Sequence, residues 1–224
     1  MIRVILIDID NTLLDFERCA EGAMRQGFSS FGIPYRPDMF PVFTRTNNAL
    51  WAAVEQGTLT RPELHRIRWG LIFDQLGIRQ DGERFEQCFY ANLSDSHDMI
   101  DGARELLEHL FSRYTLCAAS NAPEAQQCQR LRRAGLLPFF QEVFTSEKIG
   151  CSKPGREFFD YCLTALDCPK DQAAIIGDSL SADIRGGQDF GIRTCWYNPG
   201  RAPCPPDVRP DDIVDDLRKI AQIF

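Results

Sequence analysis

The sequence predicts an α/β fold, a doubly wound parallel sheet whose chain is interrupted early by an all-helical insert. Three observations carry this. The opening stretch "VILIDIDNTLLDF" begins as a run of apolar, β-branched residues of the kind that fills a strand buried on both faces. From about residue 101 onward, amphipathic helices alternate strictly with short apolar strands, the pattern of a parallel sheet covered by helices. Between these regions, residues 17 to 94 contain no convincing strand and carry helical periodicity instead.

Taken in order, residues 3 to 9 form the first strand. The insert follows, with Phe43, Asn47, Leu50, Trp51 and Val54 at helical spacing and breaks near Pro34, Gly57 and Gly77 to Gly82. It leaves the chain directly after the acids of the first strand and returns near "SDSHDMIDG", so it is tethered as a lid would be. The expected domains are therefore a core of residues 1–16 and 95–224 and a helical cap of residues 17–94. In the core, "GARELLEHLF" places Ala103, Leu106, Leu107 and Leu110 on one helical face, and "YTLCAAS" is a strand. A helix from about Pro123 to Ala134, the strand "EVFTS", the helix "REFFDYCLTAL" and the strand "QAAIIGD" follow. The helix "SADIRGGQDF", the strand "IRTCWY" and a closing helix from Asp211 to Ile223 complete the chain. The Pro-rich stretch from 198 to 210 is a loop with no assigned role.

Composition narrows the function. Hydrophobic residues make up 44% and charged residues 25%, an ordinary globular balance, and the formal net charge of -7 supplies no basic field for nucleic acid or anionic lipid. A small molecule is the expected partner. The nine cysteines are odd in number, form no C-x-x-C pair, and accompany no apolar signal core or membrane-length run, so they read as reduced thiols of a cytoplasmic protein. His65, His97 and His109 lack metal-site spacing and read as surface or structurally satisfied residues.

The chemistry gathers at strand ends, where an open parallel sheet places its functional groups. Asp8 and Asp10 flank Ile9, so in an extended chain they share one face about 6.5 Å apart. Such a pair persists only with a cation between them or a proton on one. These residues alone also fit a solvated, acid-rich turn. Ser120 and Asn121 end the second core strand just before a helix, placed either to cap it or to hold an anion at its start. Lys153 precedes Pro154 at an expected helix start, which would aim its ammonium inward over the sheet edge, the ordinary alternative being a solvated loop lysine. Asp178 and Asp183 follow the strand "AAIIG", where the ordinary alternatives are a helix cap and a first-turn acid. Neither explains why acids, a hydroxyl and a lysine should converge on one rim. Together the carboxylates form a hard-oxygen set suited to Mg²⁺, and the cation, the lysine and the helix-start donors suit a dianionic phosphoryl group.

The segments "DIDNT", "SN", the lysine of "SEKIGCSKP" and "GDSLSADI" resemble, in order and placement, the four signature motifs of the haloacid dehalogenase-like (HAD) hydrolase superfamily, whose Rossmann-like core carries an inserted cap. Within its helical-cap subgroup, "DIDNTLLDF", "NNALWAAVEQGTLTRPEL" and "GDSLSADIRGGQDFGI" look most like the pyrimidine 5'-nucleotidase branch. Two departures bear on this: Ala122 stands where a Gly often follows the Ser-Asn pair, and Gly155 and Arg156 follow the Lys-Pro. The resemblance implies that Asp8 is the nucleophile, forming an aspartyl-phosphate, and that Asp10 is the general acid and base. It implies Mg²⁺ held by the Asp8 carboxylate, the Asp10 backbone carbonyl and the Asp178 carboxylate, with Asp183 in support. Ser120, Asn121 and Lys153 would hold the phosphoryl oxygens. The implied partner is a nucleoside monophosphate, pyrimidine or deoxy forms first, with a small phosphosugar or phosphoglycolate as the alternative. A phosphosugar mutase shares these motifs; a haloacid dehalogenase attacks carbon without a metal and lacks a second acid at position 10. Phospho-receiver modules share the acid cluster but carry no helical insert. In the insert, Phe43 and Trp51 are candidates to stack on a base and Asn47 to bond its edge, the other reading being that they form the insert's own core. Phe16, just beyond the acid pair, is a further candidate for substrate contact or hinge packing.

Overall fold

Strand β1 (Val4–Ile7) is buried along its whole length and sits inside a six-stranded parallel sheet. The computed structural model describes all 224 residues. It divides them into two compact units, Met1–Phe16 with His97–Phe224, and Glu17–Ser96.

The first unit is the sheet with its covering helices. After β1 come α5 (Ala103–Phe111), β2 (Thr115–Ser120), α6 (Glu124–Arg133), β3 (Glu142–Thr145), α7 (Ser146–Ile149) and α8 (Arg156–Ala165). The chain continues through β4 (Ala173–Gly177), a π-helical segment (Leu180–Arg185), α9 (Gly186–Phe190), β5 (Arg193–Tyr197) and β6 (Asp212–Val214). The sheet order is β3-β2-β1-β4-β5-β6. Leu6 lies beside Cys117 on one side and Ile175 on the other. The chain therefore builds outward from β1 on one side, then returns to build outward on the other, and β1 and β4 meet where the direction reverses.

Alternation along the central strands divides the core in two. Ile5, Ile7 and Ile9 join Leu116, Ala118, Ala174 and Ile176 on the face covered by Leu106, Leu107 and Leu110 of α5. Val4 and Leu6 join Cys117, Ala119, Ala173 and Ile175 on the face covered by Phe158, Phe159 and Cys162 of α8. Fully apolar strands are needed because both faces are buried. All nine cysteines are free thiols.

The sequence expectation of a helix from Asp211 to Ile223 is not met. The Asp211 carboxylate accepts from Thr194 N (2.8 Å) and Thr194 Oγ1 (3.0 Å), pinning the chain beside β5. Residues 212–214 then pair as an edge strand, and a short 3₁₀ segment (Leu217–Gln222), capped by Asp216, closes the chain. The helical segment spans too few residues to compete with that pairing.

The second unit packs α1 (Phe16–Ser30), α2 (Met39–Glu55), α3 (Arg61–Leu76) and α4 (Gly82–Asp95). Helix α3 is punctuated at both ends: Thr60 and Glu63 form a capping box, and Gly77 ends it in the left-handed conformation. Helices α3 and α4 approach so closely that a Cβ on Gly82 would lie 2.5 Å from Gly70 N. The interior is aromatic, with Trp69 4.3 Å from Phe85 and 5.5 Å from Phe43 between ring centroids. Phe43 is thus spent on the unit's own core, and the buried Asn47 accepts from Arg68 Nη1 at 2.9 Å, so neither is available for a base. Trp51 is half-buried.

Candidate active site

At the carboxyl ends of β1 and β4 the backbone turns sharply. Asn11 takes a left-handed conformation (φ 59°), its N–H donates to Leu14 O at 2.7 Å, and its Oδ1 accepts from Phe16 N at 3.1 Å. An asparagine tolerates this conformation and ties the turn with its own side chain, which explains "DIDNT" at the end of a strand. Asp8, in register with the even-numbered side chains of β1, then stands at the rim beside the residues that follow β4.

Lys153 is the hub of the charges there. Its side chain is nearly inaccessible, and its Nζ donates to Asp8 Oδ1 (2.8 Å), Asp183 Oδ1 (2.6 Å) and Ala119 O (2.6 Å), one acceptor for each ammonium proton. Asp183 is fully buried and accepts from Ser179 N (3.1 Å) through its second oxygen. Gly177 makes room for this: a Cβ there would fall 2.2 Å from Asp183 Oδ2. Carboxylate oxygens of Asp8, Asp178 and Asp183 can all lie within 4.8 Å of one another.

Three ionised carboxylates against one ammonium would place two excess negative charges in a confined space, and burial and mutual repulsion disfavour that state. Burial first of all pushes the Asp8 carboxyl up, to about 7; Lys153 opposes this, while Asp183 and Asp10 add to it. Burial, then the charges of Asp8 and Asp183, raise Asp178 well above the usual carboxylate range. Burial works against the Lys153 charge, but Asp183 and Asp8 outweigh it and hold the amine protonated beyond its ordinary range. An uncompensated cluster of hard oxygens with two excess negative charges fits a divalent cation.

Two expected site residues make further contacts. Asn121 clamps the backbone of Lys153, accepting from its N–H (2.9 Å) and donating to its carbonyl (2.8 Å), so its amide is spent on placing the lysine. The Asp10 carboxylate lies outside the three-carboxylate group; it is ion-paired with Arg130 through Oδ1 and accepts from Gln127 Nε2 through Oδ2 (2.6 Å). Ser120 is buried at the end of β2 and accepts from Ala122 N (3.1 Å) and Gln127 Nε2 (2.9 Å). Sequence reasoning did not find Gln127, Arg130 or Thr12, whose hydroxyl lies 3.4 Å from Asp178 Oδ1. The available signal was in "EAQQCQRLRR", where Gln127 and Arg130 lie one turn apart beside Leu131 on a stripe that should be apolar.

The whole chain was also compared with known proteins. A family model described as haloacid dehalogenase-like hydrolase matches residues 2–191. The chain is 36% identical to the HAD-hydrolase YfnB of Bacillus subtilis (99% of this chain, 94% of that protein). It is 35% identical to the pyrimidine 5'-nucleotidase PynA of Streptococcus pneumoniae (88% and 84%) and 26% identical to the pyrimidine 5'-nucleotidase YjjG of Escherichia coli (98% and 96%). The crystal structure of YfnB bound to magnesium superposes with a TM-score of 0.94, covering 99% of this chain and 98% of that one. With its acids at the ends of β1 and β4 and a match that runs through both units, the chain belongs to the haloacid dehalogenase-like hydrolase family.

Proposed function

We propose that the protein is a Mg²⁺-dependent phosphomonoesterase that works through an aspartyl-phosphate on Asp8. The observation that carries this reading is the buried group of Asp8, Asp178 and Asp183 with its single lysine, at the point where the sheet reverses direction. Asp8, Asp178 and the Asp10 backbone carbonyl would hold the cation, with Asp183 keeping Lys153 in place. When bound, the cation supplies Lewis-acid stabilisation of phosphoryl charge and favours ionised Asp8.

The chain's own residues then divide the work. Asp8 attacks phosphorus in line and the bond to the leaving oxygen breaks; Asp10 gives that oxygen a proton. Asp10 next takes a proton from water, the water oxygen attacks phosphorus, and the bond to Asp8 breaks, releasing phosphate. Lys153 offsets negative charge on Asp8, and Ser120 donates to a phosphoryl oxygen.

Pyrimidine nucleoside monophosphates, including deoxy forms, are the proposed substrates. This rests on the likeness to PynA over most of both chains. The helical unit is the proposed source of selectivity, since the core residues address only the phosphoryl group. The test is kcat/KM for UMP and dTMP against AMP, phosphoglycolate and a hexose phosphate under one Mg²⁺ concentration. The pyrimidine nucleotides are expected to lead. An advantage of about tenfold or more for phosphoglycolate or a phosphosugar, about 1.4 kcal/mol in transition-state binding, would leave the phosphatase reading standing and remove the nucleotidase one. Activity undiminished in excess chelator would remove the metal.

A further inference from the structure

Helix α6 carries a set of buried polar contacts that the acid cluster does not account for. Gln127 is fully buried, and its Nε2 donates both to Asp10 Oδ2 (2.6 Å) and to Ser120 Oγ (2.9 Å). Its Oε1 accepts from Arg130 Nη1 (3.1 Å), and Arg130 itself pairs with Asp10. These partners permit one orientation of the amide. Turned over, it would set oxygen against a carboxylate and an NH₂ group against a guanidinium.

That fixed orientation has a consequence for Ser120. A hydroxyl offers two acceptor directions and one proton. Ser120 Oγ accepts from Ala122 N and from Gln127 Nε2, so both acceptor directions are filled and only its proton remains to be used. We propose that Gln127 is a positioning residue that makes Ser120 an obligate hydrogen-bond donor to the phosphoryl group, while holding the carboxylate of Asp10 with the same NH₂. This rests on the phosphomonoesterase reading and deepens it.

The test is the Kd of inorganic phosphate, by calorimetry with Mg²⁺ on the full chain, for Gln127→Glu and Gln127→Met, each made alone and together with Ser120→Ala. The introduced carboxylate cannot donate, and it takes the Ser120 proton for itself. Phosphate binding is expected to weaken about tenfold or more with Gln127→Glu and about two- to fivefold with Gln127→Met. On the Ser120→Ala background the Gln127→Met penalty should shrink to less than about twofold, while Gln127→Glu keeps the part of its penalty that comes from a new negative charge beside Asp10 and the bound anion. Arg132→Ala, which removes an exposed charge from the same helix, should change nothing.

A Gln127→Met penalty that persists undiminished without Ser120 would overturn the inference. Should Gln127→Glu fail to fold, the Gln127→Met cycle with Ser120→Ala decides by the same criterion. Wild-type protein that neither binds phosphate nor hydrolyses 4-nitrophenyl phosphate would overturn the enzymatic reading and this inference together. Intact wild-type binding and hydrolysis with additive penalties removes the inference alone.

Discussion

Asp8 shows how one residue can be costly to the fold and necessary to the proposed chemistry. Its carboxyl is buried among Asp178 and Asp183 with only Lys153 to offset them, and it titrates at about 7 rather than the usual 3.8. The sign follows from linkage: the folded protein holds this proton where the unfolded chain has released it, so Asp8 lowers stability as pH rises from about 3.8 to about 7. Asp8→Asn should therefore remove turnover yet leave the metal-free protein at least as stable as wild type, with the gap widening across that pH range. Urea denaturation at several pH values, with chelator present, measures it; an Asp8→Asn protein uniformly less stable than wild type would count against the electrostatic account. The carboxylates of this site were legible in the sequence because each follows an apolar strand, and a parallel sheet collects such ends at one rim. Gln127 left only a faint trace, a polar residue on the stripe of α6 that should be apolar, and nothing in its neighbours says that it faces Asp10.

At the scale of elements, the helical unit holds a buried ion pair between α3 and α4. Arg68 donates to Glu86 at 2.5 and 3.1 Å and to Asn47 of α2 at 2.9 Å, and His65 Nδ1 lies 2.9 Å from Glu86 Oε1. Burial alone would raise the Glu86 carboxyl, but Arg68 and then His65 more than offset it, and the group titrates below the usual 4.5. Its contribution to stability is thus present above pH 4.5 and lost as pH falls through the lowered value. Arg68→Met should cost about 3–5 kcal/mol, because it strands a buried carboxylate, whereas exchanging both partners for apolar residues should cost far less. Chemical denaturation of the single and double variants compares the two. The helices themselves were readable from periodicity and caps. The last segment was misread because strand β6 owes its existence to the contact between Asp211 and Thr194, across a Pro-rich loop.

For the whole molecule, the sheet order decides which side chains meet at the candidate site. Because β1 lies between β2 and β4, residues far apart in the chain, Asp8, Ser120, Lys153 and Asp183, end on one rim. The same burial disfavours the thiolate form of the interior cysteines. Burial pushes Cys117 and Cys195 up to about 12, and all nine cysteines are free. Native alkylation at pH 8 followed by mass spectrometry should leave Cys117 and Cys195 unmodified until the protein is unfolded, and a reducing agent should leave the Tm unchanged. Labelling of either at a rate near that of a free thiol would contradict the packing described here.

By itself the sequence determined the fold class, the two-part organisation of its periodicity and the strand-end acids, since these depend on local patterns: strands buried on both faces must be apolar, and helices must carry an apolar stripe. The fit of its motifs to a hydrolase family followed from their order. Tertiary structure alone decided how these side chains are spent. Phe43 and Asn47 went to the interior of the helical unit, Asn121 to the backbone of Lys153, and Gln127 to Asp10 and Ser120. A hydrogen bond depends on direction and on distances of a few tenths of an ångström, and neither is set until residues remote in sequence are packed together.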